Sequence, residues 1–101
     1  MVKHIVLWTL RDTAEGNTKE HNALIAKTRL EALKDTISDI IEIEVGVTHV
    51  GQGSSVDMAL YSSFEDEAAL KRYQAHPEHQ KVLPFITAIT SGRHVIDYDI
   101  S

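Results

Sequence analysis

The opening strand is apolar on both of its faces, and that constrains everything after it. From Val2 to Leu10 side chains alternate, so Val2, His4, Val6, Trp8 and Leu10 share one face while Ile5, Leu7 and Thr9 share the other. Such a strand is expected at the centre of a sheet covered on two sides. A chain of 101 residues has room for one domain, residues 1–101, and not for a second core. With 43% hydrophobic and 25% charged residues it is expected to pack rather than to stay disordered.

The period then changes along the chain. Arg11 to Gly16 is polar and ends on glycine, which reads as a loop. Asn17-Thr18-Lys19-Glu20 has the form of a capping box with Asn17 as acceptor. Ala23, Ala26, Leu30, Leu33 and Ile37 then recur at helical spacing, edged by Lys27, Glu31, Lys34 and Asp35. From Ile40 to Val47 the period is two, with Ile41, Ile43, Val45 and Val47 on one face and Glu42, Glu44 and Gly46 on the other. Gly51-Gln52-Gly53-Ser54-Ser55 is a loop. Asp57 to Phe64 is predicted as the third strand, with Met58, Leu60, Ser62 and Phe64 together. Glu65 to Ala75 is helical, with Leu70 and Tyr73 inward, and His76-Pro77 breaks it because the residue before a proline is pushed out of the helical region. Pro77 suits the first turn of a short helix through Val82, which Pro84 is expected to end. Arg93 to Asp99 alternates His94, Ile96 and Tyr98 against Val95, Asp97 and Asp99, a last strand.

The order is β-α-β-β-α-β, the ferredoxin-like α+β pattern: a four-stranded antiparallel sheet with helices on one face. Only one of the two apolar sets of the first strand can meet those helices. Each side chain of that size contributes roughly 1.5–3 kcal/mol when buried, so a wet second face forfeits several such terms and invites aggregation. Sheet-on-sheet packing between two copies, a homodimer, is the simplest expectation.

Composition removes several function classes. The formal net charge is −5, from 10 basic and 15 acidic residues, and Lys71-Arg72 is the sole adjacent basic pair, so nucleic acid is not an expected partner. No cysteine is present, which excludes disulfide and thiol chemistry. Met1 to Leu10 is too short for a signal peptide core, and no apolar run reaches the roughly 20 residues needed to span a bilayer, so no membrane partner and a cytoplasmic protein are expected. Gly51-x-Gly53 lacks the helix start and Lys-Ser/Thr of a phosphate loop, and Ser54-Ser55 lacks a catalytic-serine motif. No cofactor is implied.

Three stretches, Lys3-His4-Ile5-Val6-Leu7-Trp8, the Asp57-to-Phe64 strand with its acidic turn, and Tyr73-Gln74-Ala75-His76-Pro77-Glu78-His79, resemble the stress-responsive A/B barrel domain (Dabb) family. The ending Val95-Ile96-Asp97-Tyr98 is similar too, so the resemblance covers nearly the entire chain. It implies a dimeric α+β barrel in which two four-stranded sheets face each other, with a cleft between sheet and helices in each subunit. Family functions include stress-associated roles and a plant polyketide cyclase that closes a ring by aldol condensation. In that cyclase the Tyr and the second His of the motif carry the chemistry, which implies Tyr73 and His79 here. The cyclase's third-strand histidine is replaced in this chain by Met58.

The chain has six histidines, a high count for its length. His4 shares its strand face with Val6 and Trp8 and is either a buried, hydrogen-bonded imidazole or a cleft residue that orients a substrate carbonyl. His76 and His79, three apart, share a helix face, although His76 before the proline also suits a cap. His79 near the helix start has the ordinary histidine pKa near 6.5 that serves a general base. A phenol at Tyr73 and an imidazole at His79 meeting in one cavity could polarise a ketone and remove an α-proton. Candidate catalytic residues are therefore His79, Tyr73 and His4. Candidate ligand-binding residues are His76, Val6, Trp8 and His49, the last near a cleft mouth. His21 and His94 read as surface or strand residues. His76, His79 and Glu78 lack the spacing of a zinc motif, so no metal is expected. Three readings stay open: a stress-type protein binding an apolar or aromatic molecule, a cyclase, lyase or isomerase, and a structural assembly protein without ligand.

Overall fold

A computed structural model of the chain describes residues 1–48 and 53–100. The alternation at the start becomes β1 (Val2–Leu10), whose residues are buried and half-buried in strict turn. A two-residue pair, β2 (Thr13–Ala14) and β3 (Asn17–Thr18), follows, and its turn places Glu15 and Gly16 at positive φ. Then come α1 (Lys19–Glu31) with a 3-10 extension over Ala32–Asp35, β4 (Ile40–Val47), β5 (Met58–Phe64), α2 (Glu67–Ala75), α3 (Pro77–Ile89) and β6 (Thr90–Asp99). The sheet is antiparallel with order β4-β5-β1-β6, so β1 is indeed interior. This is the ferredoxin-like α+β fold, with the short β2–β3 hairpin added ahead of α1. No described helix is long and apolar enough to cross a membrane.

One core lies between the sheet and the helices. Val2, Val6, Trp8 and Leu10 of β1 meet Met58, Leu60 and Phe64 of β5, the stripe Ala23, Ala26, Leu30, Leu33 and Ile37, and Leu70, Tyr73, Val82, Ile86 and Ile89 of the later helices. At roughly 1.5–3 kcal/mol per large apolar side chain, this burial is the main favourable contribution to folding.

Local chemistry departs from the sequence pattern in three places. The N-cap of α1 is Thr18, whose Oγ1 accepts the His21 amide at 3.2 Å. Asn17 cannot serve, because it pairs with Ala14 across the hairpin and its side chain donates to Asn22. A register shift between Ile40 and Glu42 turns Ile40 into the core and leaves Ile41 40% exposed, so Ile41 does not share the face of Ile43, Val45 and Val47. Finally, Pro84 does not end the third helix, which continues to Ile89. Proline removes one amide donor and crowds the preceding turn. Pro84 lies on the exposed side, however, and burial of Val82, Ile86 and Ile89 carries the helix past it.

The break at His76-Pro77 does occur, and His76 makes it. Its backbone is extended (φ −64°, ψ 136°), it closes α2, and its Nδ1 accepts the Glu78 amide at 3.1 Å to cap α3. At the opposite side of the sheet, α1 clamps edge strand β4. Glu31 accepts the Val45 amide at 2.9 Å, Lys27 donates to the Val45 carbonyl at 2.6 Å, and Lys34 donates to the Ile41 carbonyl at 2.8 Å. The sheet face away from the helices carries Ile5, Leu7, Tyr61, Ile96 and Tyr98, with Ile96 56% exposed and Tyr98 43% exposed.

Candidate functional site

Antiparallel pairing of β6 with β1 sets His4 opposite Asp97, Val6 opposite Val95 and Trp8 opposite Arg93, all on the helix side of the sheet. The helices leave the β6 end of this face uncovered. The result is a cleft of about 460 Å³ with buried walls of Val6, Trp8, Leu30, Leu60 and Ile86. That volume suits a small organic ligand. His4 and His79 open onto it, His4 from the sheet and His79 from the first turns of α3.

Each imidazole is fixed through Nδ1. His4 Nδ1 lies 2.5 Å from Asp97 Oδ1, and the His79 Nδ1 lies 3.1 Å from the Gln74 carbonyl oxygen. Carboxylate and carbonyl oxygens only accept, so in both rings Nδ1 carries the hydrogen. Nε2 is then the nitrogen left to meet a ligand. Ser62 Oγ donates to the His4 carbonyl at 2.8 Å and fixes the strand beneath the ring. Asp97 is 42% exposed and borders a second opening of about 340 Å³, shared with Val2, Leu70 and Gln74. His79 is held below the ordinary histidine pKa, chiefly by burial, although the Gln74 hydrogen bond opposes this.

Tyr73 is 1% exposed and packs between Phe64 and His79, with ring centroids 5.0 and 4.5 Å away, and it meets His4 edge-on at 6.3 Å. The break at His76-Pro77 thus brings Tyr73 and His79 together. Burial pushes the Tyr73 phenol up to about 12, so it stays un-ionised at neutral pH. It stands behind His79 and is not among the residues that line the cleft. His76 is likewise outside the lining, occupied as a cap. His49 lies outside the described residues. Met58 is fully buried in the core opposite Trp8. Among the described residues no group of three or more His, Cys, Asp or Glu side chains converges as a metal site would require.

Three polar groups of the site do not stand out in the sequence. Asp97 meets His4 across 93 positions of chain, and only the β1–β6 register would have predicted it. Arg11 and Arg93 sit at the cleft rim, joined by the ends of β1 and β6 rather than by any motif.

The stress responsive A/B barrel domain model matches residues 2–100. An uncharacterized protein of Streptomyces coelicolor is 32% identical over 80 residues, covering 79% of this chain and 80% of that protein. A crystal structure from Bacteroides fragilis, described as a dimeric protein of unknown function with a ferredoxin-like fold, is 36% identical; it superposes with a TM-score of 0.86 over 98% of this chain and 95% of its own. The hydroxynitrile lyase of Passiflora edulis shares the fold at 16% identity, with a TM-score of 0.74 over 99% of this chain and 93% of the lyase. The chain belongs to the stress responsive A/B barrel domain family.

Proposed function

We propose that the chain works as a homodimer whose subunits each bind an apolar or aromatic small molecule in the cleft, in a stress-response setting of the kind the family's name describes. The observation that carries the binding reading is one cavity with apolar walls and two imidazoles that both keep Nε2 for a ligand. Dimerisation rests on the exposed apolar sheet face and on the dimeric state of the Bacteroides fragilis relative. The test is a panel of aromatic and polyketide-like compounds, read by thermal shift on wild type and His79→Ala, with sedimentation for the dimer. A compound that raises the melting point of the wild type and not of the variant supports the site. A dimer that responds to none of them overturns it and leaves a structural assembly protein.

A second reading, acid–base catalysis of cyclase, lyase or isomerase type, is favoured by the His4–Asp97 pair. Asp97 orients His4 as a carboxylate orients a catalytic imidazole. In this reading His79, kept neutral by burial, accepts through Nε2 a proton from carbon beside a carbonyl, leaving an enolate. Tyr73 acts through the His79 ring as a positioning residue. Turnover lost in His79→Ala with binding retained supports catalysis; binding by wild type without turnover of any bound compound counts against it.

A further inference from the structure

The cleft's charge runs against that of the chain. Fifteen acidic residues outnumber ten basic ones overall, yet the charged residues of the described lining are Arg11 and Arg93, and Asp97 stands outside it, bonded to His4. The chain has four arginines. Arg72 is held by Asp39 at 2.8 Å and Arg29 stacks over Phe85 at 4.6 Å. Arg11 and Arg93 have no ion-pair or hydrogen-bond partner for their guanidinium groups among the described residues. Both are exposed at the rim, while the apolar walls below them are buried.

Their positions are fixed by backbone. Arg11 directly follows β1, and its amide donates to the Ile89 carbonyl at 2.9 Å, which ties this end of β1 to the end of α3. Arg93 is set across from Trp8 by the β6 register. Arg11 and Arg93 thus flank one apolar opening from separate elements. A guanidinium at such a rim suits a carboxylate, because its planar fork matches the carboxylate geometry. The field of Arg93 also reaches the floor, where it adds to the burial that holds His79 low.

We propose that the cleft selects amphipathic monoanions: an aryl or alkyl body lies against Val6, Leu60 and Ile86, and one carboxylate sits at the rim between Arg11 and Arg93. This rests on the small-molecule reading above and names the ligand class. It also gives the ligand a direction, with the tail and any group beside it delivered to His4 and His79.

The probes are 4-phenylbutanoate and its neutral isostere 4-phenylbutanamide, titrated against the full chain with the fluorescence of Trp8, its one tryptophan and a wall residue of the cleft. The acid is expected to bind about tenfold more tightly than the amide, a rim-exposed charge pair being partly screened by water. Raising salt should remove most of that preference. Arg93→Gln and Arg11→Gln should each weaken the acid several-fold and leave the amide unchanged, with melting points near wild type because both side chains are exposed. Equal affinity for acid and amide overturns the anion preference and leaves the cleft as a neutral binding site. Binding of neither overturns both readings.

Discussion

Asp97→Ala isolates the contact that orients His4. The imidazole is 6% exposed and its Nδ1–H has one described acceptor, the Asp97 carboxylate at 2.5 Å. A buried donor left without its acceptor costs about 1–3 kcal/mol. Asp97 itself is 42% exposed and borders the 340 Å³ opening, so in the variant a water molecule can enter and take over the bond. The expected loss therefore falls at the low end, about 1 kcal/mol, which lowers the melting temperature of a domain of this size by about 4–8 °C. The chemical consequence is larger than the energetic one. Water donates as readily as it accepts, so His4 loses its fixed tautomer and the hydrogen divides between Nδ1 and Nε2. Asp97→Asn keeps a carbonyl acceptor and should retain most of the stability. The assays are denaturant unfolding and nitrogen-15 NMR of the histidine side chains. If Asp97→Ala leaves both the stability and the His4 tautomer unchanged, Asp97 does not orient the ring.

Other perturbations probe separate parts of the fold. Burial lowers the His79 pKa in the folded state, so the unfolded chain takes up that proton first as pH falls. Stability from this group is complete above about 6.5, the unfolded value, and is lost as pH falls towards the lower folded value. His79→Asn should therefore have a shallower decline in unfolding free energy from pH 7.5 to 5 than wild type; parallel curves would contradict the assignment. Glu31→Ala removes a hydrogen bond to the Val45 amide and an ion pair with Lys27, and should cost about 1–2 kcal/mol. Hydrogen exchange at Val45 should accelerate, and an unchanged rate there would refute the clamp. Pro84→Ala restores an amide donor within α3. Against about 3 kcal/mol of proline penalty, lost unfolded-state restriction and prior relaxation of the helix leave a net gain of about 1–2 kcal/mol, measurable as a higher denaturation midpoint.

Elements whose pattern depends on their own residues were legible. The two-residue period of Val2–Leu10 and the helical stripe from Ala23 to Ile37 both reappear as buried faces, because each is set by local geometry and burial together. The pairing of Tyr73 with His79 followed from the break before Pro77, another local effect. What escaped was decided by partners distant in sequence. Thr18 caps α1 because a small hairpin engages Asn17. Pro84 is tolerated because the core holds the residues on either side of it. Asp97 and the two rim arginines became visible only with the β1–β6 register, since a strand pattern gives faces and not opposite numbers.

The clamp on β4 bears on how these molecules meet one another. A sheet edge with free amides and carbonyls is a template on which another strand can add, and repeated addition builds fibres. Here Glu31 and Lys27 occupy both outward groups of Val45, and Lys34 occupies the carbonyl of Ile41. An incoming strand would have to displace three side chains of the helical segment to register there. The β4 edge is thereby guarded against strand addition at these positions, and the dimer proposed above, formed through the open face of the sheet, would leave that guard in place.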